Sequence, residues 1–345
     1  MDLENLLELT KNLNASDLHL SAGSAPWVRI NGILSTLDLA PLTNAELQAM
    51  LNSILTNTQQ TELEENRELD LAINNQSGER YRVNIFYQQA GLAAALRRIP
   101  SYLPTLEEIG IQAICNKVSQ LRNGLVLITG ATGSGKSTTL AAILNYINQT
   151  QQKHIISIED PIEFIHPNQQ SLIQQRELYT HTQSFSRALR AALREDPDII
   201  LLGEMRDLET IRLALSAAET GHLVFATLHT SSAVQAIDRI IEVFPGEERP
   251  LIRTLLSESL RAIIAQVLVP KLAGGRVALQ EILLNIPAIR NLIRENKLAQ
   301  VYSILQTNRK EAMQTLDQHL QQALAQQLIS SETAAAYAID KNLFG

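Results

Sequence analysis

The chain has 345 residues, enough for two domains of ordinary size. An apolar share of 45% and a charged share of 19% exclude disorder of the chain as a whole. The net charge of −7 weighs against a broad basic face, so we expect no nucleic-acid partner. The single cysteine excludes an internal disulfide and a multi-cysteine zinc site. We see no signal peptide and no apolar run near the ~20 residues of a transmembrane segment, and therefore expect a cytoplasmic protein.

The first hundred residues predict a small α+β domain. Residues 3–13 have helical spacing, and Thr43 followed by Glu46 marks the start of a second helix, because the two side chains can cap it reciprocally. Short runs bounded by turn residues predict strands at 17–20, 27–30, 69–73 and 81–87.

A proline-containing segment separates this region from the rest of the chain. Pro100 and Pro104 break both helix and strand, since proline lacks a backbone donor and restrains the residue before it. We therefore predict a first domain over 1–99, a linker over 100–104 and a second domain over 105–345.

The second domain alternates buried strands with helices. Its strand candidates are short continuous apolar runs, as expected for strands covered on both faces, and they lie at 125–129, 155–158, 199–202 and 223–228. Between them lie segments of helical periodicity at 137–148, 184–193 and 208–218. This order predicts an α/β domain with a parallel sheet and crossover helices. From about residue 275 we expect a helical C-terminal region.

A phosphate-binding loop is the strongest motif in the sequence. Residues 130–137 fit G-x-x-x-x-G-K-S/T at every fixed position, between an apolar strand and a helix. Backbone amides of such a loop cradle phosphates, so Lys136 should reach the β- and γ-phosphates of ATP and the Ser137 hydroxyl should bind Mg²⁺. The predicted nucleotide-binding residues are Gly130, Ala131, Thr132, Gly133, Ser134, Gly135, Lys136, Ser137 and Thr138.

Polar side chains follow three further predicted strands. Glu163, Glu204 and His229 come after the carboxyl ends of these strands, where ligands lie in open α/β sheets. ATP hydrolysis needs a carboxylate on the magnesium side and a group that orients or deprotonates water, and the two glutamates are candidates for these tasks. His229 could contact the γ-phosphate. His222 precedes the same strand and would lie far from a nucleotide in its own subunit.

These motifs together resemble the secretion ATPases that drive type IV pili and type II secretion, most closely the branch that retracts pili. The likeness covers nearly the whole chain. It rests on the phosphate loop, the acidic segment IEDPIEF, the segment from LREDPD to GEMRD, the histidine segment from AAETGH to TLHT, and the C-terminal AIRNLIRE, at residues 130–137, 158–164, 193–207, 217–230 and 288–295.

The resemblance implies a PAS-like N-terminal domain, a RecA-like P-loop ATPase domain and a homohexamer at the inner-membrane base of the pilus, acting on a membrane-embedded platform protein. It implies that Glu163 is the catalytic glutamate and that Glu204 serves Mg²⁺, directly or through water. Arg82 and Arg97 match arginines that close over the γ-phosphate in this family. His222 gains a possible role in coupling subunits, and His229 a contact with the γ-phosphate.

Alternative functions remain open from sequence. The accessory retraction ATPase of the same family shares this core and would make a paralogous partner. A RecA-like nucleic-acid motor would want a basic channel and stacking aromatics, but only 4% of residues are aromatic. A regulatory nucleotide-binding module without turnover is the third alternative. Pilus-extension ATPases carry a four-cysteine zinc motif, which a chain with one cysteine cannot form.

Overall fold

The computed structural model describes residues 2–30, 32–99, 102–308 and 312–344. The chain divides into two units, Met1–Tyr102 and Leu103–Gly345. Pro100 and Ser101 of the predicted linker lie outside the described residues.

The first unit is built on an antiparallel sheet with the strand order β3-β2-β1-β6-β5-β4. Its elements in chain order are α1 (Leu3–Asn12), β1 (Asp17–Ser21), β2 (Trp27–Ile30), β3 (Ile33–Thr36), α2 (Asn44–Asn52), α3 (Asn57–Asn66), β4 (Glu68–Asn74), β5 (Arg80–Gln88) and β6 (Gly91–Ile99). Thr43 and Glu46 form the expected reciprocal cap of α2. Residues of α1, α2 and the sheet share one buried core.

The second unit is built on a sheet with the order β13-β12-β7-β11-β10-β8-β9. All neighbouring strands pair in parallel except β12 and β13, which are antiparallel. The strands are β7 (Gly124–Thr129), β8 (His154–Glu159), β9 (Leu172–Glu177), β10 (Ile199–Leu202), β11 (Leu223–Leu228), β12 (Leu260–Pro270) and β13 (Arg276–Leu284).

Helices cover both faces of this sheet. They are α4 (Leu106–Ile109), α5 (Gln112–Val118), α6 (Lys136–Thr150), α7 (Phe185–Ala192), α8 (Leu208–Glu219), α9 (Ala233–Glu242), α10 (Arg249–Ser259), α11 (Pro287–Arg294), α12 (Val301–Thr307), α13 (Leu316–Ala325) and α14 (Ser331–Tyr337). In β11, Val224 and Ala226 belong to one core with α7–α12, whereas Leu223 and Phe225 belong to the opposite core with α4–α6. The continuous apolar strands are therefore buried on both sides, and the predicted α/β fold is confirmed.

The C-terminal region departs from our prediction. We expected helices from about residue 275, but Arg276–Leu284 is strand β13, and the first helix begins at Pro287. The backbone of β13 pairs with β12 from Ala262↔Leu284 to Pro270↔Arg276. Five of its consecutive residues, from Leu279 to Leu283, are buried, so pairing and burial at the sheet edge outweigh the helix propensity of its Ala, Leu and Glu residues. Among the described residues, no helix combines the length and apolarity needed to span a membrane.

The sheet register brings four strand ends to one edge. Thr129 of β7 lies opposite Leu228 of β11, and Leu202 of β10 lies opposite Ile158 of β8. The loops that follow these parallel strands therefore leave the sheet side by side, at the edge where ligands lie in open α/β sheets.

Candidate active site

The glycine-rich loop joins the end of β7 to the start of α6, as the sequence predicts. Gly130 has a φ of +148°, and a Cβ atom there would lie 2.4 Å from both the Gln266 carbonyl oxygen and Ser134 Oγ. Gly135 has a φ of +87°, and its Cβ would lie 2.9 Å from Gln266 Nε2. A side chain at either position would displace the loop, so the two glycines permit its tight turn against β12.

Gln266 of β12 fastens this loop to the helix that follows it. Its Nε2 donates to the Ser134 carbonyl at 2.6 Å, and its Oε1 accepts from Thr139 Oγ1 at 2.7 Å. The side chain is buried. Gln266 was not predicted from sequence, because it lies far along the chain and in no motif.

The start of α6 suits an anion. Gly135 is the N-cap, and among the described residues no side chain caps it, so amides of the first turn remain available to a phosphate chain. Among the predicted nucleotide-binding residues, Ala131, Thr132 and Gly133 of the loop are exposed. Ser137 and Thr138 of the first helical turn are half-buried. The Ser137 hydroxyl is a suitable oxygen ligand for Mg²⁺ bound to such a phosphate chain.

The side chain of Lys136 folds back onto the glycine-rich loop. Its Nζ donates to the carbonyl oxygens of Gly130 and Ala131 at 2.9 and 3.0 Å. Burial lowers the pKa of this ammonium group, and the negative charges of Glu204 and Glu163 oppose that shift. Both glutamates therefore act electrostatically on the lysine of the phosphate loop.

Glu204 lies between two nitrogen donors. His229 Nε2 is 3.1 Å from its Oε1, and Arg206 Nη2 is 2.7 Å from its Oε2. Burial raises the pKa of the Glu204 carboxyl, but the hydrogen bond from Arg206 and the charge of His229 lower it more, so the pKa lies below its ordinary value. Arg206 also comes within 4.0 Å of Asp160. Arg206 was not predicted as a site residue, although it lies within the GEMRD segment.

Glu163 is exposed, in the segment between β8 and β9. Its backbone lies near the carboxyl group of Glu159, the last residue of β8, whose pKa is raised by burial. The structure thus brings Glu163, Glu204 and His229 to the end of the sheet that carries Lys136, as the positions of these residues after strands predict.

His222 lies at the opposite end of β11 from His229. Its Nδ1 is 3.2 Å from the Ala217 carbonyl near the end of α8, and its own carbonyl accepts from the Gly124 N–H at 3.0 Å. Seven residues of extended chain span about 23 Å, so His222 is remote from the phosphate loop, as expected. Its role in subunit coupling stays a prediction.

Arg82 and Arg97 are exposed and face each other across β5 and β6 of the first unit. Arg97 Nε lies 2.7 Å from Asp17 Oδ1. Their approach to a γ-phosphate stays a prediction.

Comparison with known proteins adds the family. Residues 5–336 match the family described as "Type II/IV secretion system protein". The chain belongs to this family. It is 53% identical to the type IV pilus retraction ATPase PilT of Pseudomonas aeruginosa, over 97% of each chain. It is 41% identical to the type IV pilus ATPase PilU of the same organism, over 99% of this chain and 90% of that one.

The fold of the family is also shared. A crystal structure of the pilus retraction motor PilT with bound ADP superimposes with a TM-score of 0.93 at 45% identity, covering 99% of this chain and 98% of that one. The resemblance stated from motifs is therefore confirmed.

Proposed function

We propose that this protein is a Mg²⁺-dependent ATPase that works as a homohexamer and powers the retraction of type IV pili, and with it twitching motility. It acts in the cytoplasm at the inner-membrane base of the pilus, where it drives a platform protein. The similarity to PilT over nearly the full length of both chains supports this proposal.

The observation that carries the proposal is the placement of Lys136, Glu163 and Glu204 after strand ends at one edge of the sheet, where both carboxylates act electrostatically on the lysine. Lys136 and the loop amides bind the phosphates, and Glu163 accepts a proton from water as that water attacks the γ-phosphorus. The bond to the β-phosphate oxygen then breaks, giving ADP and phosphate. Ser137, and Glu204 directly or through water, would hold Mg²⁺, which would supply neutralising charge. His229 contacts the γ-phosphate, Arg82 and Arg97 add positive charge there, and His222 couples subunits.

A PilU-like accessory role is the second candidate, because PilU is also a full-length relative. The higher identity to PilT favours the main retraction motor. A PilU-like paralogue then becomes a further partner. ATP hydrolysis that does not depend on DNA separates either role from that of a nucleic-acid motor.

Glu163→Gln tests the chemistry directly. We expect the variant to bind ATP with parental affinity and to lose turnover by about 100-fold or more, because the amide cannot accept a proton. Lys136→Ala should lose ATP binding as well. Equilibrium ATP binding and phosphate release are the measurements, with the exposed Glu247→Gln as the matched control. Parental turnover in Glu163→Gln would remove this residue from the mechanism, whereas a parent protein that binds ATP without turnover would support the nucleotide-binding module.

The cellular role is tested by gene deletion and complementation. We expect the deletion strain to assemble pili but to lose retraction and twitching, and the Glu163→Gln gene to fail to restore them. Normal retraction in the deletion strain would instead support the accessory role.

A further inference from the structure

The segment that carries Glu163 folds back over β9. It leaves the sheet at Glu159, the end of β8, and returns at Leu172, the start of β9. The two strands are parallel neighbours, with Glu159 opposite Glu177 and Ser157 opposite Gln175. Side chains of β9 therefore lie beneath the segment, close to the proposed catalytic glutamate.

Hydrogen bonds from β9 bracket Glu163 on both sides. The N–H of Ile162, the preceding residue, donates to Glu177 Oε2 at 3.0 Å. The carbonyl of Phe164, the following residue, accepts from Gln175 Nε2 at 2.8 Å. The backbone direction at Glu163 is thus fixed by two side chains of one strand, two residues apart.

Both side chains have further contacts that hold them in place. Glu177 is 4% exposed, and its Oε1 accepts from Thr180 Oγ1 at 3.1 Å. Gln175 donates to Glu159 Oε1 at 3.1 Å and accepts the His166 N–H at 2.9 Å. A segment held in this way loses little conformational freedom when a substrate binds. A precisely oriented catalytic group requires such support.

We propose that Glu177 and Gln175 are positioning residues that hold Glu163 in the orientation for attack by water on ATP. This inference rests on the proposed function, since it assumes that Glu163 acts in hydrolysis. Neither residue is part of the phosphate loop or of the Glu204–His229–Arg206 cluster, so their effect on turnover passes through the backbone of residues 162–164.

Substitution on β9 separates positioning from mere structural support. We expect Glu177→Ala and Gln175→Ala each to lower kcat about tenfold or more, because a displacement of about 1 Å can cost up to a hundredfold in rate. The KM for ATP should stay within about twofold, since the phosphate loop is untouched. Glu177→Gln should recover most of the rate, because its amide oxygen can accept the same Ile162 N–H.

Gln174→Ala is the matched control. Gln174 lies on the same strand but is exposed, and its side chain contacts His154 Nε2 at 3.1 Å instead of the Glu163 segment. This variant should keep parental kcat. An equal loss in Gln174→Ala, or parental kcat in both Glu177→Ala and Gln175→Ala, would overturn the proposal.

Hydrogen exchange without ATP provides a second measurement that does not depend on turnover. Amides of residues 162–166 should exchange faster in Glu177→Ala and Gln175→Ala than in the parent, while Gln174→Ala exchanges as the parent does. Unchanged exchange in both test variants would refute the positioning contacts even if the parent proved to be an active ATPase. A parent that binds ATP without hydrolysing it would refute the proposed function, and the exchange result would still decide whether β9 holds the segment.

Discussion

The Glu204 carboxylate has both oxygens engaged, one by Arg206 and one by His229. A partly buried carboxylate with such partners stays ionised, because charge-assisted hydrogen bonds stabilise its anionic form. Each carboxylate oxygen has a second lone pair, so the ionised group can also accept a hydrogen bond from a metal-bound water. The side chain of Arg206 also reaches towards Asp160, so one guanidinium links the ends of β10 and β8.

Replacing Arg206 should change the pH dependence of hydrolysis. The Arg206 hydrogen bond helps to hold the pKa of Glu204 below its ordinary value, so this carboxyl stays charged as the pH falls. In Arg206→Gln the pKa of Glu204 rises, and the loss of activity on the acidic side should begin at a higher pH than in the parent. The pH profile of kcat/KM is the measurement, with exposed Arg239→Gln as the control. An unchanged acidic limb in Arg206→Gln would contradict the assigned role of this arginine.

At the scale of residues, sequence predicts the groups that belong to a motif or follow a buried strand. Lys136, Glu163, Glu204 and His229 were found in this way, because the chemistry of phosphates dictates their residue types. Gln266, Arg206 and the two β9 residues act on other protein groups instead of on phosphate. The positions of such residues relative to the site depend on sheet register and on the path of the loops. A local sequence pattern carries no information about either.

Strand β12 gives the phosphate loop its shape. It pairs in parallel with β7, the strand that leads into the loop, and Ala265 lies opposite Thr129. The next residue, Gln266, therefore stands where its amide can contact both the loop and α6. An element about 130 residues further along the chain thus completes a motif that looks self-contained in sequence.

Gln266→Ala should lower both the unfolding free energy of the second unit and its affinity for nucleotide. The change leaves the buried Thr139 hydroxyl without its acceptor and the Ser134 carbonyl without a donor, which should cost about 2 kcal/mol of unfolding free energy. ATP affinity should fall as the loop loosens. Urea unfolding followed by circular dichroism, and equilibrium ATP binding, measure the two effects. The exposed helical variant Gln321→Ala is the control, and a Gln266→Ala protein as stable and as tight-binding as this control would contradict the argument.

At the scale of elements, the central strands of the second unit were predictable and its outer strands were not. β7, β8, β10 and β11 are continuous apolar runs, because helices cover both of their faces. β9 has the sequence LIQQRE, in which Gln175 and Glu177 contact the Glu163 segment, and β13 has a composition equally suited to a helix. For such segments, pairing with a neighbouring strand decides between helix and strand. A short window of sequence carries no information about that pairing.

The whole chain consists of two units that each have a hydrophobic core of their own. The candidate nucleotide site is built within the second unit, whereas Arg82 and Arg97 belong to the sheet of the first. In the proposed mechanism these arginines act on the γ-phosphate within a homohexamer. Oligomeric state is therefore part of the proposed mechanism.

Assembly can be tested with the chain trapped in its ATP-bound state. We expect Glu163→Gln with ATP and Mg²⁺ to form a species of six times the 38.2 kDa chain mass, because the nucleotide persists and keeps subunits in contact. Size-exclusion chromatography with light scattering is the measurement, and Lys136→Ala under the same conditions is the control that does not retain nucleotide. A monomer under every condition would rule out a mechanism shared between subunits.

Any anion that binds Arg97 has to compete with Asp17 for this arginine. The Asp17 side chain is 8% exposed, and its other oxygen lies 4.0 Å from Arg29. Removing Arg97 would leave a poorly hydrated carboxylate with a more distant cation, which is costly. A singly charged ion offers Arg97 no more than Asp17 already does, whereas the multiply charged end of a nucleoside triphosphate does. For the proposed role of Arg97 at the γ-phosphate, this pairing would favour a nucleoside triphosphate over chloride and similar ions.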